Sequence, residues 1–576
     1  RLTVRALGER EALRYAAVRA SGQEIALSVL SGGLDSAETE AVWDAVIRSR
    51  AAVLDEMARR RHTLVGSDDP EIARLEEELS AASRRAANLA FRKPDPQGVA
   101  SYRKLLAEAV EDKETAERKL AARSLSFRQE RALEQAGVAE LAGALSEGQA
   151  IVAYVRYDEQ TPRYLAFVHT GPGSKTMAIP LGGADRIDDL VRRWREQIAA
   201  APYDERRDPA GAETKCRVEG EALRRAIWDP VARQLGDAVQ VFVVPDGALH
   251  LVSFAALPAS PRGYLVEGDR IFHYLSAERD LIGTTSAAEQ GVGLLAVGGP
   301  AYNSTSPFRG SSVTVAAGPT SPDRLRGVRS SCIDAENLGF TPLAATVQET
   351  DRVVALWRSN TQGPDAERFV QLTAEQAGET AFKKEAPGKR VLHVATHGFF
   401  LGGPCRATFN GTRGIGGLTA ASDEPFPAVL GENPLLLSGL ALAGANRREA
   451  AGPLEDDGIL TAEEVAAMDL TGVSWAVLSA CDTGVGELEA GEGVLGLRRA
   501  FQTAGAATVI MSLWSVEDEA TGRWMDELYS ARLKEHLTTA QSVHEATLRL
   551  LEDRRERGLS THPFYWGAFV AAGDWR

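Results

Sequence analysis

Val391-Leu392-His393-Val394-Ala395-Thr396-His397-Gly398 and Val477-Leu478-Ser479-Ala480-Cys481-Asp482-Thr483-Gly484 are the two stretches on which the reading of this chain turns. Each is an apolar run that closes in small residues and then presents one reactive side chain, His397 in the first and Cys481 in the second. Short, continuously apolar runs bounded by glycine read as strands buried on both faces of a parallel sheet. Ligands of such sheets gather outside the carboxyl ends of the strands, so the two ends belong to one rim. A thiol that gives up a proton and an imidazole that later passes one to a leaving amine form a nucleophile and its acid/base partner. The backbone N–H groups of Gly398 and Cys481 complete the requirement as an oxyanion hole, with no side chain on Gly398 to obstruct the substrate.

Outward from these strands the pattern repeats. Further strands are predicted at 293–297, 369–372, 508–513 and 569–570, beside 390–395 and 475–479, with helical patterns between most of them. That alternation predicts an α/β fold with a mostly parallel sheet flanked by helices. The stretch 401–457, rich in Gly, Pro, Asn and Leu, fits no long element and reads as a functional loop. From Gly148 there are strand patterns at 150–155, 164–168 and 239–244, the last ending at Asp246-Gly247, and helices near 188–200 and 221–235. Residues 1–145 are dominated by Ala, Leu, Arg and Glu at helical spacing, with breaks at Ser31-Gly32-Gly33, Gly66 to Pro70 and Lys93 to Pro96. Three regions follow: a helical region at 1–145, an α/β unit without catalytic residues at 146–285, and a catalytic unit at 286–576. No tetratricopeptide pattern is convincing within the chain. Its start at Arg1 rather than Met suggests a fragment or processed product, with such repeats upstream.

The chain has 576 residues and a formal charge of -15, which repels phosphate backbones and speaks against a nucleic-acid ligand. Cys216, Cys332, Cys405 and Cys481 form no CxxC pair, so the expectation is a reducing cytoplasm with neither disulfide framework nor zinc ribbon. No apolar run approaches a bilayer span and no signal peptide is apparent. No cofactor or metal is expected.

Taken with the two strand ends, five further motifs make the chain resemble the CHAT domain family, a caspase-like clan akin to separase and often attached to tetratricopeptide repeats. They are Leu-Ser-Gly-Leu-Ala-Leu-Ala-Gly-Ala-Asn (437–446), Asp-Gly-Ile-Leu-Thr-Ala-Glu-Glu-Val (457–465), Gly-Glu-Gly-Val-Leu-Gly-Leu-Arg-Arg-Ala-Phe (491–501), Ser-Leu-Trp-Ser-Val-Glu-Asp (512–518) and His-Pro-Phe-Tyr-Trp-Gly-Ala-Phe (562–569). The resemblance spans roughly 148–576. It implies a caspase-like fold with a pseudo-caspase unit at 146–285, and a catalytic dyad of His397 and Cys481. It also implies that a peptide substrate adds as a strand beside 508–518, pairing with the backbone around Trp514 and Ser515. Asp482, Glu517 and Asp518 lie near that groove, where acids suit a basic P1 side chain. Glu517-Asp518-Glu519 equally suits the start of a helix, and an apolar P1 is the competing reading. The function implied is a regulated endopeptidase that cuts specific protein partners and is switched on by a regulatory partner through the N-terminal helices. The alternative is a catalytically silent scaffold in a signalling or defence complex. In caspases a long linker after the catalytic strand is cut on maturation. Here only Asp482 to Ala507 join the two strands, so ordering of loops, above all 401–457, is expected to replace cleavage.

Competing readings surround these residues. His393 lies inside its strand and is expected to be a satisfied core histidine, and Cys216, Cys332 and Cys405 are expected to be small buried hydrophobes. A His393/His397/Cys405 zinc site has too few ligands. Gly491-x-Gly493-x-x-Gly496 imitates the dinucleotide fingerprint, but about ten residues separate it from its strand, and a helix is expected from Val494 to Thr503 instead. The melting temperature is accordingly expected to be unchanged by NAD or ATP, and a ligand-dependent rise in a thermal shift assay would restore the nucleotide reading.

Overall fold

The computed structural model describes residues 7, 11, 12, 15, 23–30, 35–53, 56, 57, 70–90, 99–124, 136–158, 161–259, 263–283, 291–308, 339–361, 363–400, 434–452, 455–480, 487–489 and 493–576. Its strands are β1 (Gln149–Asp158), β2 (Pro162–Thr170), β3 (Met177–Gly183), β4 (Gln240–Val244), β5 (Ile271–Tyr274), β6 (Leu294–Pro300), β7 (Phe369–Ala374), β8 (Val391–Ala395), β9 (Gly398–Phe400), β10 (Ser438–Ala441), β11 (Ile459–Thr461), β12 (Trp475–Ser479), β13 (Glu487–Glu489), β14 (Gly493–Leu495), β15 (Thr508–Ser512) and β16 (Phe569–Gly573). The helices that matter here are α1 (Gln23–Leu30), α2 (Ser36–Ser49), α3 (Pro70–Ala90), α4 (Val99–Ser124), α5 (Val138–Ala144), α6 (Ala184–Asp204), α7 (Pro209–Ile227), α8 (Ala344–Asn360), α9 (Glu379–Glu385), α10 (Ala462–Ala466), α11 (Leu497–Thr503), α12 (Asp518–Tyr529) and α13 (Thr539–Glu556).

Eleven strands form one sheet in the order β3-β2-β1-β4-β5-β16-β15-β12-β8-β6-β7. β7, β6, β8, β12 and β15 run parallel to one another, and so do β1, β4, β5 and β16. The two sets meet where β16 pairs antiparallel with β15, from Thr508 opposite Gly573 to Ser512 opposite Phe569. Every residue of β8, β12 and β15 is buried, as strands covered by helices on both faces must be. A single core runs from Val152 and Val243 through Leu392 and Val477 to Ile510. The fold is thus α/β, with a large, mostly parallel sheet flanked by helices and an N-terminal helical region.

Counted along the chain, β6, β7, β8, β12 and β15 are first to fifth, and their spatial order is 2-1-3-4-5. The order reverses between β6 and β8, which is where a crevice opens beyond the carboxyl ends of such a sheet. α8 reaches this point by lying close on the end of β6. A Cβ on Gly298 would come within 2.5 Å of the Thr346 carbonyl, and the Gly299 N–H donates to Thr346 Oγ1 at 2.8 Å.

All six strands predicted beyond residue 290 are present, as are the three predicted between 148 and 244. Other expectations are corrected. The helix expected from Val494 begins at Leu497, because Gly493–Leu495 pairs with Glu487–Glu489 and the extended Gly496 precedes the first turn. The helix placed at 221–235 belongs to α7, which starts at Pro209 under an Asp208 cap and stops at Ile227, ahead of Asp229-Pro230. β3, with Pro180 and two glycines at the sheet edge, and β5, only four residues long, have no alternation to betray them. Within 401–457, residues 401–433 lie outside the described residues, whereas Ser438–Ala441 forms the middle strand of a small sheet in the order β11-β10-β9. Cys332 and Cys405 also lie outside the described residues.

The N-terminal helices dock in two places. α2 lays Trp43 flat on Phe167 of β2, ring centroids 5.2 Å apart, and the indole N–H donates to buried Glu278. The α3–α4 hairpin packs Ala87, Ala90 and Leu106 against Tyr302, Phe340, Phe399 and Ile459. Polar contacts pin it: Asn88 Nδ2 donates to the Glu455 carbonyl at 2.8 Å, and Lys113 Nζ lies 2.6 Å from Glu463 in a buried ion pair. Among the described residues no helix is long and apolar enough to cross a membrane.

Next to this interface, Glu379, Asp456 and Glu464 converge closely enough to hold a cation. The place is filled by the Lys383 ammonium, which bonds all three, at 2.8 Å to Asp456 and 2.9 Å to Glu464. Glu464 also closes a capping box with Thr461 at the start of α10, and Gly458 (φ +88) donates its N–H to Glu379. The motif at 457–465 is therefore a structural knot.

Asp457 adjoins it, fully buried, and burial together with the charge of Glu464 pushes its carboxyl up to about 7. In the unfolded chain this group releases its proton near pH 4, by its ordinary value of about 3.9. Between those values folding takes up a proton, so the contribution of Asp457 is complete below about pH 4 and is lost as the pH climbs to about 7. Asp457→Asn is expected to remove this slope. In urea denaturation at about pH 5 and about pH 7, the variant should lose less stability than the wild type, by up to about 1.4 kcal/mol per pH unit.

Candidate active site

His397 follows β8 by two residues, at the switch point of the sheet. Its backbone is clamped, since its carbonyl accepts from the Ala441 N–H at 2.9 Å. The preceding Thr396 is fully buried, with its hydroxyl bonded to Tyr302 Oη at 2.9 Å and donating to the Ala441 carbonyl. The imidazole is buried as well, and its Nε2 lies 2.8 Å from the Thr341 carbonyl. A carbonyl only accepts, so Nε2 carries the hydrogen and Nδ1 is the nitrogen able to take and return a proton. Tyr302 and Phe340 wall the ring, with centroids at 5.4 and 5.7 Å.

Gly398 opens β9 and faces Leu440 across the antiparallel ladder. The Ala441-to-His397 bond beside it makes Gly398–Leu440 a non-hydrogen-bonded pair, so the Gly398 N–H turns away from β10. This is the disposition an oxyanion donor at a strand edge requires.

β12 lies in register with β8, Ser479 opposite Ala395. Ala480 is buried and its carbonyl accepts from Ser512 Oγ at 2.8 Å, which fixes the end of β12 against β15. Cys481 and Asp482 come next in the chain and lie outside the described residues.

The residues expected to line a groove follow β15. Trp514 is buried, its indole donating to the Phe564 carbonyl and meeting Trp194 of α6 edge-on at 5.9 Å. Arg195 donates to the Leu513 carbonyl at 2.8 Å, so α6 grips this segment from the other half of the sheet. Ser515 is half-buried. Glu517 caps α12 by accepting from the Ala520 N–H, and Asp518 stands in its first turn. The acids of this stretch are used as helix-start residues are.

His393 is the core histidine expected of it. It is fully buried, with Nε2 at 3.0 Å from Glu349 and Nδ1 at 3.2 Å from the Tyr529 hydroxyl. With both nitrogens engaged it has no lone pair to give a metal, which removes the His393/His397/Cys405 arrangement. Cys216 is inert, burial pushing its thiol up to about 12. Sequence reasoning missed Tyr302, Phe340 and Thr341 around His397. They come from two segments distant in the chain, and one of them contributes only a backbone atom, which leaves no trace in residue type.

Solved structures with related architecture include the Arg specific cysteine proteinase gingipain R, with a TM-score of 0.34 and 11% identity over 68% of this chain and 74% of that one. The complex of the Porphyromonas gingivalis RgpB pro- and mature domains gives 0.33 and 11%, over 68% and 76%. Separase in the Saccharomyces cerevisiae separase–securin complex gives 0.43 and 8%, over 91% of this chain and 37% of that chain. No curated protein matches the chain in sequence. The sequence profile of the CHAT domain matches residues 217–574, well over half of the molecule, and the chain belongs to the CHAT domain family.

Proposed function

We propose that this chain is a regulated cysteine endopeptidase acting on specific protein partners through Cys481 and His397. The observation that carries the reading is the state of His397: at the switch point of the sheet, walled by Tyr302 and Phe340, with Nε2 committed to the Thr341 carbonyl. A histidine held this way offers a single nitrogen for proton exchange, and the register of β12 on β8 brings the strand leading into Cys481 alongside it.

In the mechanism, Nδ1 of His397 takes the Sγ proton of Cys481 and the thiolate attacks the scissile carbonyl carbon. The Gly398 and Cys481 N–H groups receive the oxyanion. Collapse of the tetrahedral intermediate breaks the C–N bond, and Nδ1–H protonates the departing amine. Water, deprotonated by His397, then hydrolyses the thioester and regenerates the thiol. The substrate lies as an added strand along the backbone after β15 at Trp514 and Ser515, with Asp482 and Asp518 at its margin. Residues 286–576 form the catalytic unit, 146–285 a supporting pseudo-caspase unit, and 1–145 the helical region that a regulatory partner engages. The packing of α3–α4 on Tyr302, Phe340 and Phe399 supports the last point. The reducing compartment suited to the thiol is the cytoplasm.

Peptide chloromethylketone is expected to label Cys481 in the activated state, and His397→Ala to abolish labelling. Cys481→Ala should leave less than about 1% of wild-type turnover with the fold intact, since one small side chain leaves little cavity. Turnover above a small percentage of wild type in either variant, or Cys481 labelling that survives His397→Ala, would show the dyad assignment to be wrong, and a wild-type chain that is never labelled would leave the scaffold reading. Activation is expected without backbone cleavage. Mass spectrometry of the active enzyme that finds an obligatory cut between residues 401 and 520 would refute control by loop ordering.

A further inference from the structure

Residues 339–343 supply a ring and a carbonyl to His397, yet they belong to no helix or strand. Backbone groups buried outside regular structure need partners from elsewhere. One side chain provides them. Asn446, the last residue of the 437–446 motif, accepts from the Phe340 N–H through Oδ1 at 2.8 Å and donates to the Phe340 carbonyl through Nδ2 at 2.8 Å. The same Nδ2 donates to Asn303 Oδ1 at 2.9 Å, and the Asn446 backbone N–H donates to the Tyr302 carbonyl at 2.9 Å. Gly444 adds a bond to the Ala301 carbonyl. Two segments far apart in the chain, 301–303 and 339–341, are thus tied to one amide. Between them they hold both aromatic walls of His397 and the carbonyl that receives its Nε2–H.

We propose that Asn446 is a positioning residue that sets the orientation and tautomer of the His397 imidazole. The inference rests on the dyad reading for its catalytic meaning and on geometry alone for its structural content. Only an amide suits the place, because Phe340 presents a donor and an acceptor together. A carboxylate has no donor for the Phe340 carbonyl and would set its charge against the Asn303 oxygen, and an isosteric leucine offers neither function. Releasing Phe340 frees Thr341, and the Nε2–H loses its acceptor. The imidazole then turns between its walls.

The test uses the full chain labelled with 15N-histidine, with the His397 signals identified by their loss in His397→Ala. The His397 Nε2–H proton is expected to be protected from solvent exchange in the wild type and to exchange at least about tenfold faster in Asn446→Leu, by the tenfold that corresponds to about 1.4 kcal/mol of lost protection. Asn446→Asp, of the same shape, should behave alike and serves if the leucine variant does not fold. Thr341→Ala keeps the carbonyl and should keep the protection. Protection unchanged in a folded Asn446 variant would overturn the proposal, even if that variant melts at a lower temperature. Loss of protection in the Asn446 variants, while Cys481 labelling proves independent of His397, would support the positioning role and remove the dyad instead.

Discussion

The parallel pairing of β8 with β12 is the constraint on which the rest depends. Five residue pairs, from Trp475 opposite Val391 to Ser479 opposite Ala395, hold the two strands at one height. Parallel strands cannot slip by one residue without turning every inward side chain to the opposite face, and both faces here are packed. The ends of the two strands are therefore level by necessity, and whatever follows them emerges on one rim. β6 on the other side of β8 creates the reversal of strand order that opens space above this rim.

The C-terminal strand has an unusual burden. β16 lies between β15 and β5 and so joins two sets of parallel strands that run in opposite directions. The β5 contact is narrow, a single residue pair reinforced by His273, whose Nε2 donates to the Gly573 carbonyl at 2.8 Å. Burial lowers the pKa of His273 to about 4, which keeps it a neutral donor. The motif before β16 serves the same junction: a Cβ on Gly567 would come within 2.7 Å of the Ala256 methyl, and Trp566 meets Tyr264 edge-on. With Trp194 and Arg195 gripping the segment after β15, the first half of the sheet directly fixes the backbone at Leu513 and Trp514.

On the opposite flank, the α3–α4 hairpin forms part of the wall behind His397. Ala87, Ala90 and Leu106 share one apolar cluster with Tyr302, Phe340 and Phe399, and the Lys113–Glu463 pair anchors the contact in a buried setting. A buried ion pair costs desolvation that only good geometry offsets, so removing one partner would leave an uncompensated buried charge. The hairpin covers the aromatic walls of the imidazole on this side. Helices outside the sheet are thus tied to the segments that surround His397.

Much of this was legible beforehand. The apolar runs ending in His-Gly and Cys-Asp announced a two-faced parallel sheet, and the strand positions beyond residue 290 followed from composition alone, because burial on both faces leaves a continuous apolar signature. The assignment of His393 to the core was readable for the same reason: position relative to a strand end is a one-dimensional fact. Short or edge strands such as β5 and β3 were not, since four residues or a run broken by Pro180 carry no periodicity. Nor was the setting of His397. Its partners include a carbonyl at Thr341 and two rings brought in from either side of a long sequence gap, and the amide of Asn446 holds the Phe340 backbone as well as the Asn303 side chain. Residue type determined where strands form and which side chains are able to react. Only the tertiary structure decided which nitrogen of the histidine carries the hydrogen, because that choice rests on a main-chain atom every sequence possesses.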